Sequence, residues 1–212
     1  MSPSDKTLRE AMDDYSHETV PTQLTEAKGT SLARELFTST FWMTGLSILK
    51  YVPRSFRVRR VDGMAFFTET KHDQFRNRVL RITPGNPRQW GTMNVSQMLH
   101  HLNLACGGSL GFYALPDESY LMSRSVFRWI LVDWFPEQPV GLRLPKGFKT
   151  PHSAQFDFDV EKQQLLKILD VAWKARSDAD WRPHPMFGRM TPAEWGKLLQ
   201  IHIDYHLKQF AA

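Results

Sequence analysis

The stretch from Thr191 to Phe210 constrains this chain more than any other. It opens with Thr191-Pro192-Ala193-Glu194, a capping box with proline at the first helical position. The Thr191 side chain can accept from the backbone amide of Glu194, and the Glu194 carboxylate can reach back. At about 100° per residue, Trp195, Leu198, Leu199 and Phe210 then gather on one side of a helix, and Lys197, Gln200, Asp204 and Lys208 on the other. His202 and His206, one turn apart, fall in the middle of the apolar side. Two imidazoles in a core-facing stripe are costly unless their nitrogens find partners. One metal ion held by both rings satisfies them together.

Upstream, the periodicity predicts three more helices. The first covers Phe66 to Ile82, with Phe75, Val79 and Ile82 at helical spacing and Pro84-Gly85 as its stop. The second runs from Asn94 to about Phe112, capped by Asn94 or Thr92, with Gly107 and Gly108 marking a kink or an early end. The third spans about Asp157 to Arg176, and the acidic residues of its first turn suit the helix dipole. Residues 113–156 read as the irregular part: an aromatic segment from Tyr120 to Phe135, then Pro136, Pro139, Pro145 and Pro151 in a long loop. Such a loop is either a lid or a cap on one end of the core. With no internal repeat and no convincing strand, four helices and one long crossover make an all-α four-helix bundle.

The bundle fills residues 64–212. Residues 1–30, polar and acidic, read as a disordered tail rather than a signal peptide. Residues 31–63 read as a helix over Ser31 to Lys50 followed by a basic linker. Leu36 to Val61 contains no acidic residue, whereas Lys50, Arg54, Arg57, Arg59 and Arg60 are cationic. A solvated linker is the preferred reading of that run over peripheral contact with anionic lipid or nucleic acid. The net charge of +5 comes without a groove-reading or stacking motif, so nucleic acid is not argued for. The run Leu36 to Val52 is too short and too polar to span a membrane. Cys106, the only cysteine, rules out an internal disulfide and a zinc–thiolate cluster, and fits a reducing, cytoplasmic setting.

A catalytic metal site needs a third ligand and an open position. The second helix offers His100 and His101. Its apolar stripe is Val95, Met98, Leu99, Leu102, Ala105 and Cys106; His101 lies on the flank of that stripe, and His100 points nearly opposite, toward solvent. His101, His202 and His206 then supply three neutral nitrogens suited to zinc, nickel or iron. Asn94 and Gln97 share the His101 side, and Tyr205 lies beside His206; they are the weak candidates for touching a substrate. Cys106 reads as an inert core thiol. His184 and Arg189 precede the capping box, where pinning the loop is preferred to reaching an anionic group. No general base stands out, so catalytic residues stay unassigned.

The run Met93-Asn-Val-Ser-Gln-Met-Leu-His-His101, with the later His202-Ile-Asp-Tyr-His206-Leu-Lys-Gln-Phe210, resembles the DinB/YfiT-like superfamily. The runs Trp90-Gly91-x-Met93-Asn94-Val95-x-Gln97-Met98-Leu99 and His184-Pro-x-Phe187-Gly188-Arg189-x-Thr191-Pro-x-Glu194-Trp195-Gly196 look like a branch of it whose function is not established. The likeness covers about residues 64–211. It implies a four-helix bundle holding one divalent metal by His101, His202 and His206. Many members carry Trp where Met93 stands, which this branch commonly does not. By resemblance, a low-molecular-weight thiol or water at the metal would react with a small-molecule substrate, making the chain a thiol-dependent transferase or a hydrolase. The alternative is a non-catalytic, metal-stabilised bundle that works by binding a protein or a small molecule. Bundles of this type often pair, so a homodimer is a plausible partner, although the sequence does not itself show one.

Overall fold

The computed structural model describes residues 61–135, 137, 138, 153–176 and 179–212. The readings of residues 1–60, and of most of the proline-rich stretch after Phe135, lie outside the described residues. Among those described, four α-helices dominate: α1 (Glu69–Arg81), α2 (Val95–Leu110), α3 (Phe158–Ala175) and α4 (Pro192–Gln209). Among the described residues there is no strand, only an isolated bridge between His184 and Gly188. The fold is all-α, as the periodicity predicts. No described helix is long and apolar enough to cross a membrane.

α2 packs on α3 and α4, and α1 packs on both as well. They share one core, built from Phe75 and Val79 of α1, Met98 and Leu102 of α2, Leu165 and Ile168 of α3, and Ile203 and Leu207 of α4. The capping box of α4 forms as the sequence prescribes, with the Glu194 amide on Thr191 Oγ1 at 3.3 Å and the Thr191 amide on Glu194 Oε2 at 2.7 Å. Thr191→Ala removes one of those acceptors. It is expected to cost about 1 kcal/mol and to lower Tm by about 2–4 °C in a domain of this size, measured by a thermal melt.

Three predicted boundaries shift. The expected helix from Phe66 to Ile82 is two elements: a 3-10 turn, Met64–Phe67, and α1. Thr68 separates them because its backbone is extended (φ −80°, ψ 148°) and its side chain caps α1 by accepting from the Lys71 amide. α2 does not end at Gly107 and Gly108. It runs to Leu110, and the two glycines leave room for Tyr113 and Leu115 of the returning chain.

The third shift is the largest. The segment read as irregular is helical from Ser123 to Phe127 and from Trp129 to Trp134, in the wide π geometry. It buries Phe127, Leu131, Val132 and Phe135 against Met186 and Phe187 in a second, smaller core. Polar ties fasten it to the start of α4: Arg128 pairs with Glu194 and donates to the Arg189 carbonyl, and Lys197 Nζ donates to the Asp133 carbonyl at 2.7 Å. Lys197, placed on the solvent side by the wheel, is therefore buried. Its ammonium carries its charge to a carbonyl that only the packed segment supplies.

Candidate metal centre

α4 presents His202 and His206 one turn apart, and α2 presents His101 toward them. The ring centroids lie 5.2 Å (His101–His202), 4.8 Å (His101–His206) and 4.6 Å (His202–His206) apart. One nitrogen of each ring falls within 4.8 Å of the others. Nitrogens that held one ion would stand closer than this, at bond lengths of about 2.0–2.1 Å to it. All three side chains are buried, His101 at 1% and His202 at 9% exposure.

Two of the rings are already engaged on their far side. His202 Nδ1 lies 2.6 Å from Gln138 Oε1, and His206 Nδ1 lies 2.9 Å from Gln209 Oε1. The Nε2 atoms of both are buried and make no hydrogen bond. A buried ring nitrogen without a partner is a cost that a native fold seldom leaves standing. Burial, reinforced by His206, His101 and His184, holds His202 well below the ordinary imidazole range. Burial and then His101 push His206 down to about 3, against a smaller opposing effect of Gln209. His202 and His206 are thus neutral at physiological pH, the state in which imidazole binds metal. The residues present fit a divalent ion.

The remaining candidates lie elsewhere. His100 does not point to solvent. Its Nδ1 is 2.9 Å from Glu161 Oε1, and its ring stacks on Phe156 at 3.8 Å. Asn103 donates to the same carboxylate, so His100 and Asn103 tie α2 to α3 while His101 turns to α4. Asn94 and Gln97 form the capping box of α2, and Gln97 Nε2 also donates to the Ala154 carbonyl. These two of the three candidates for substrate contact thus bond the backbone. Tyr205 sets its ring edge-on to His206 at 4.9 Å and lies beside Trp90. Cys106 is buried, and burial raises its thiol to about 12, which makes it inert. His184 pins the loop before α4: its Nδ1 accepts the amides of Met186 and Phe187, and burial lowers it to about 3. Arg189 is exposed, and its carbonyl accepts from Arg128.

Sequence reasoning missed Gln138 and Gln209. Gln209 stands three residues after His206, at the spacing where helix side chains meet, and was legible there. Gln138 carries no local signal, because it lies 64 positions before the histidine it touches.

Residues 67–212 match the family described as a protein of unknown function (DUF1569). No curated protein and no solved structure matches the chain.

Proposed function

The chain belongs to the DUF1569 family, and on that premise we propose that it binds one divalent metal ion through imidazole nitrogens of His101, His202 and His206. The observation that carries this reading is the pair of buried Nε2 atoms of His202 and His206, unbonded and close to His101. We propose further that the ion is zinc, nickel or iron and serves a reaction of the DinB/YfiT-like type, a thiol-dependent transfer or a hydrolysis on a small molecule. That likeness rests on the residue pattern around the three histidines, within about residues 64–211.

A divalent ion held by three neutral imidazoles keeps its full charge and lowers the pKa of a water or thiol that shares it. The chain contributes ligands on two helices of a packed core, so their spacing resists thermal spread. Burial keeps His202 and His206 neutral at physiological pH. Among the described residues, no carboxylate or thiolate joins the three histidines in the converging group. A thiol, which ionises near pH 8.5 on its own, needs less help from a base than water does. This favours the thiol-dependent transfer over hydrolysis.

Elemental analysis of protein purified without a metal-affinity tag tests the reading. About one equivalent in the wild type and a clear loss in His202→Ala is the expected result. No metal after incubation with zinc, nickel or iron would overturn it. Chelation of the wild type separates the two uses of a metal: a fold that survives fits a reactive centre, and one that collapses fits the purely structural alternative.

A further inference from the structure

We propose that Gln209 and Gln138 are positioning residues that hold His206 and His202 in the tautomer protonated at Nδ1, and that Gln209 is itself held in place by Trp90 across Gly91. The proposal deepens the metal reading and rests on it for its effect on affinity, but not for its effect on the rings.

The argument for Gln209 follows from which groups can only accept. Its Nε2 lies 2.8 Å from the Trp90 carbonyl oxygen. A carbonyl cannot donate, so the amide must present its NH2 there and its oxygen on the other side. That oxygen is the atom 2.9 Å from His206 Nδ1. It too can only accept, so Nδ1 carries the proton and Nε2 keeps its lone pair. The tautomer is therefore dictated by a backbone carbonyl two hydrogen bonds away.

The clasp is built from the connection between α1 and α2. The Gln89 amide donates to the Gln209 carbonyl at 2.8 Å, so this connection and the end of α4 are joined through backbone and side chain together. Gly91 permits the approach. Its φ is +80°, and a Cβ there would stand 2.5 Å from Gln209 Nε2. A side chain at 91 would be strained and would push the amide away. Gln138 is placed for the same service at His202 from the crossover, its Oε1 lying 2.6 Å from His202 Nδ1. Two separate parts of the chain, neither of them a ligand, thus aim two lone pairs at one point. Partners of this kind fix ring orientation and typically change metal affinity 10- to 100-fold, by about one to two decades.

Long-range ¹H–¹⁵N spectra of the full-length, metal-free protein read the ring tautomers directly. Nδ1-protonated rings at His202 and His206 are expected; Nε2-protonated rings would overturn the proposal whether or not metal binds. Competition titration with Zn²⁺ then gives the affinities. Gln209→Leu and Gly91→Ala are each expected to weaken Zn²⁺ binding by about 10- to 100-fold and to leave His206 a mixture of tautomers. Gln138→Ala, on the crossover, tests the same idea at His202 without disturbing α4. Unchanged affinity and unchanged tautomers in Gln209→Leu and Gln138→Ala would overturn it. If the wild type shows the expected tautomers but binds no Zn²⁺, the metal reading fails and the positioning roles stand.

Discussion

Metal-free protein is expected to lose stability steeply as the pH falls below 6.5 and to unfold before it reaches about 3. Burial lowers His184 from its ordinary 6.5 to about 3, and burial with the neighbouring His101 does the same to His206. In the unfolded chain both rings take a proton near 6.5; in the fold they stay neutral down to about 3. Between those limits the unfolded state holds more protons, so acid favours unfolding. The stability is fully present above the unfolded value and drains away as the pH drops toward the folded one. Each ring adds a slope of up to about 1.4 kcal/mol per pH unit. Across the window two of them reach at most about 10 kcal/mol, enough to consume a stability in the lower part of the typical range of about 5–15 kcal/mol. Urea unfolding at a series of pH values measures the slope, and a flat profile would contradict the lowered titration of both rings. His184→Asn leaves an acceptor for the Met186 and Phe187 amides with nothing to titrate, and should flatten the profile by about one proton. Zn²⁺ should raise stability above pH 6.5 and make the fall steeper, since its ligands must be deprotonated.

Gly196→Ala should destabilise the fold although helix propensity argues the other way. Gly196 lies within α4, where alanine is normally better by about 1 kcal/mol. Here a Cβ would stand 2.2 Å from the Gly63 carbonyl oxygen and 2.9 Å from Phe67 Cε2. Gly63, in turn, has no room for a Cβ against the Ala193 carbonyl. The two glycines let the turn before α1 lie backbone to backbone on the first turns of α4. Because the obstacle is main chain, it cannot swing aside as a side chain would. Overpacking of this kind costs about 1–3 kcal/mol, and Gly196→Val should cost more than Gly196→Ala. Equal or higher Tm in Gly196→Ala would show that the two segments part without penalty.

These two results draw on different ranges of information. The capping box at Thr191, the Asn94 cap of α2 and the span of α3 were all legible, because a cap and its partner lie within a few residues of each other. The facing of His202 and His206 was legible for the same reason: two residues one turn apart share a side whatever the rest of the chain does. His101 was separable from His100 because adjacent residues on a helix diverge by about 100°.

What escaped the sequence depends on partners far along the chain. The wheel sends His100 and Lys197 to solvent, and locally that is correct. Glu161 on α3 and the Asp133 carbonyl of the crossover overturn it by receiving them in the packed fold. The helical segments between Ser123 and Trp134 escaped because a π turn does not follow the 3.6-residue period. Their apolar residues find a second core only where Met186 and Phe187 return to meet them.

The sequence by itself therefore determined the helical class, the start of α2, the ends of α3 and α4, and which histidines share a core. Hydrogen bonds and side-chain spacing within one or two turns set all of these. Only the tertiary structure decided which nitrogens of those histidines are left to face one another. That choice is made by the oxygens of Gln138 and Gln209 and by the Trp90 carbonyl. Except for Gln209 they lie dozens of residues from the rings, and only packing the helices brings them within reach.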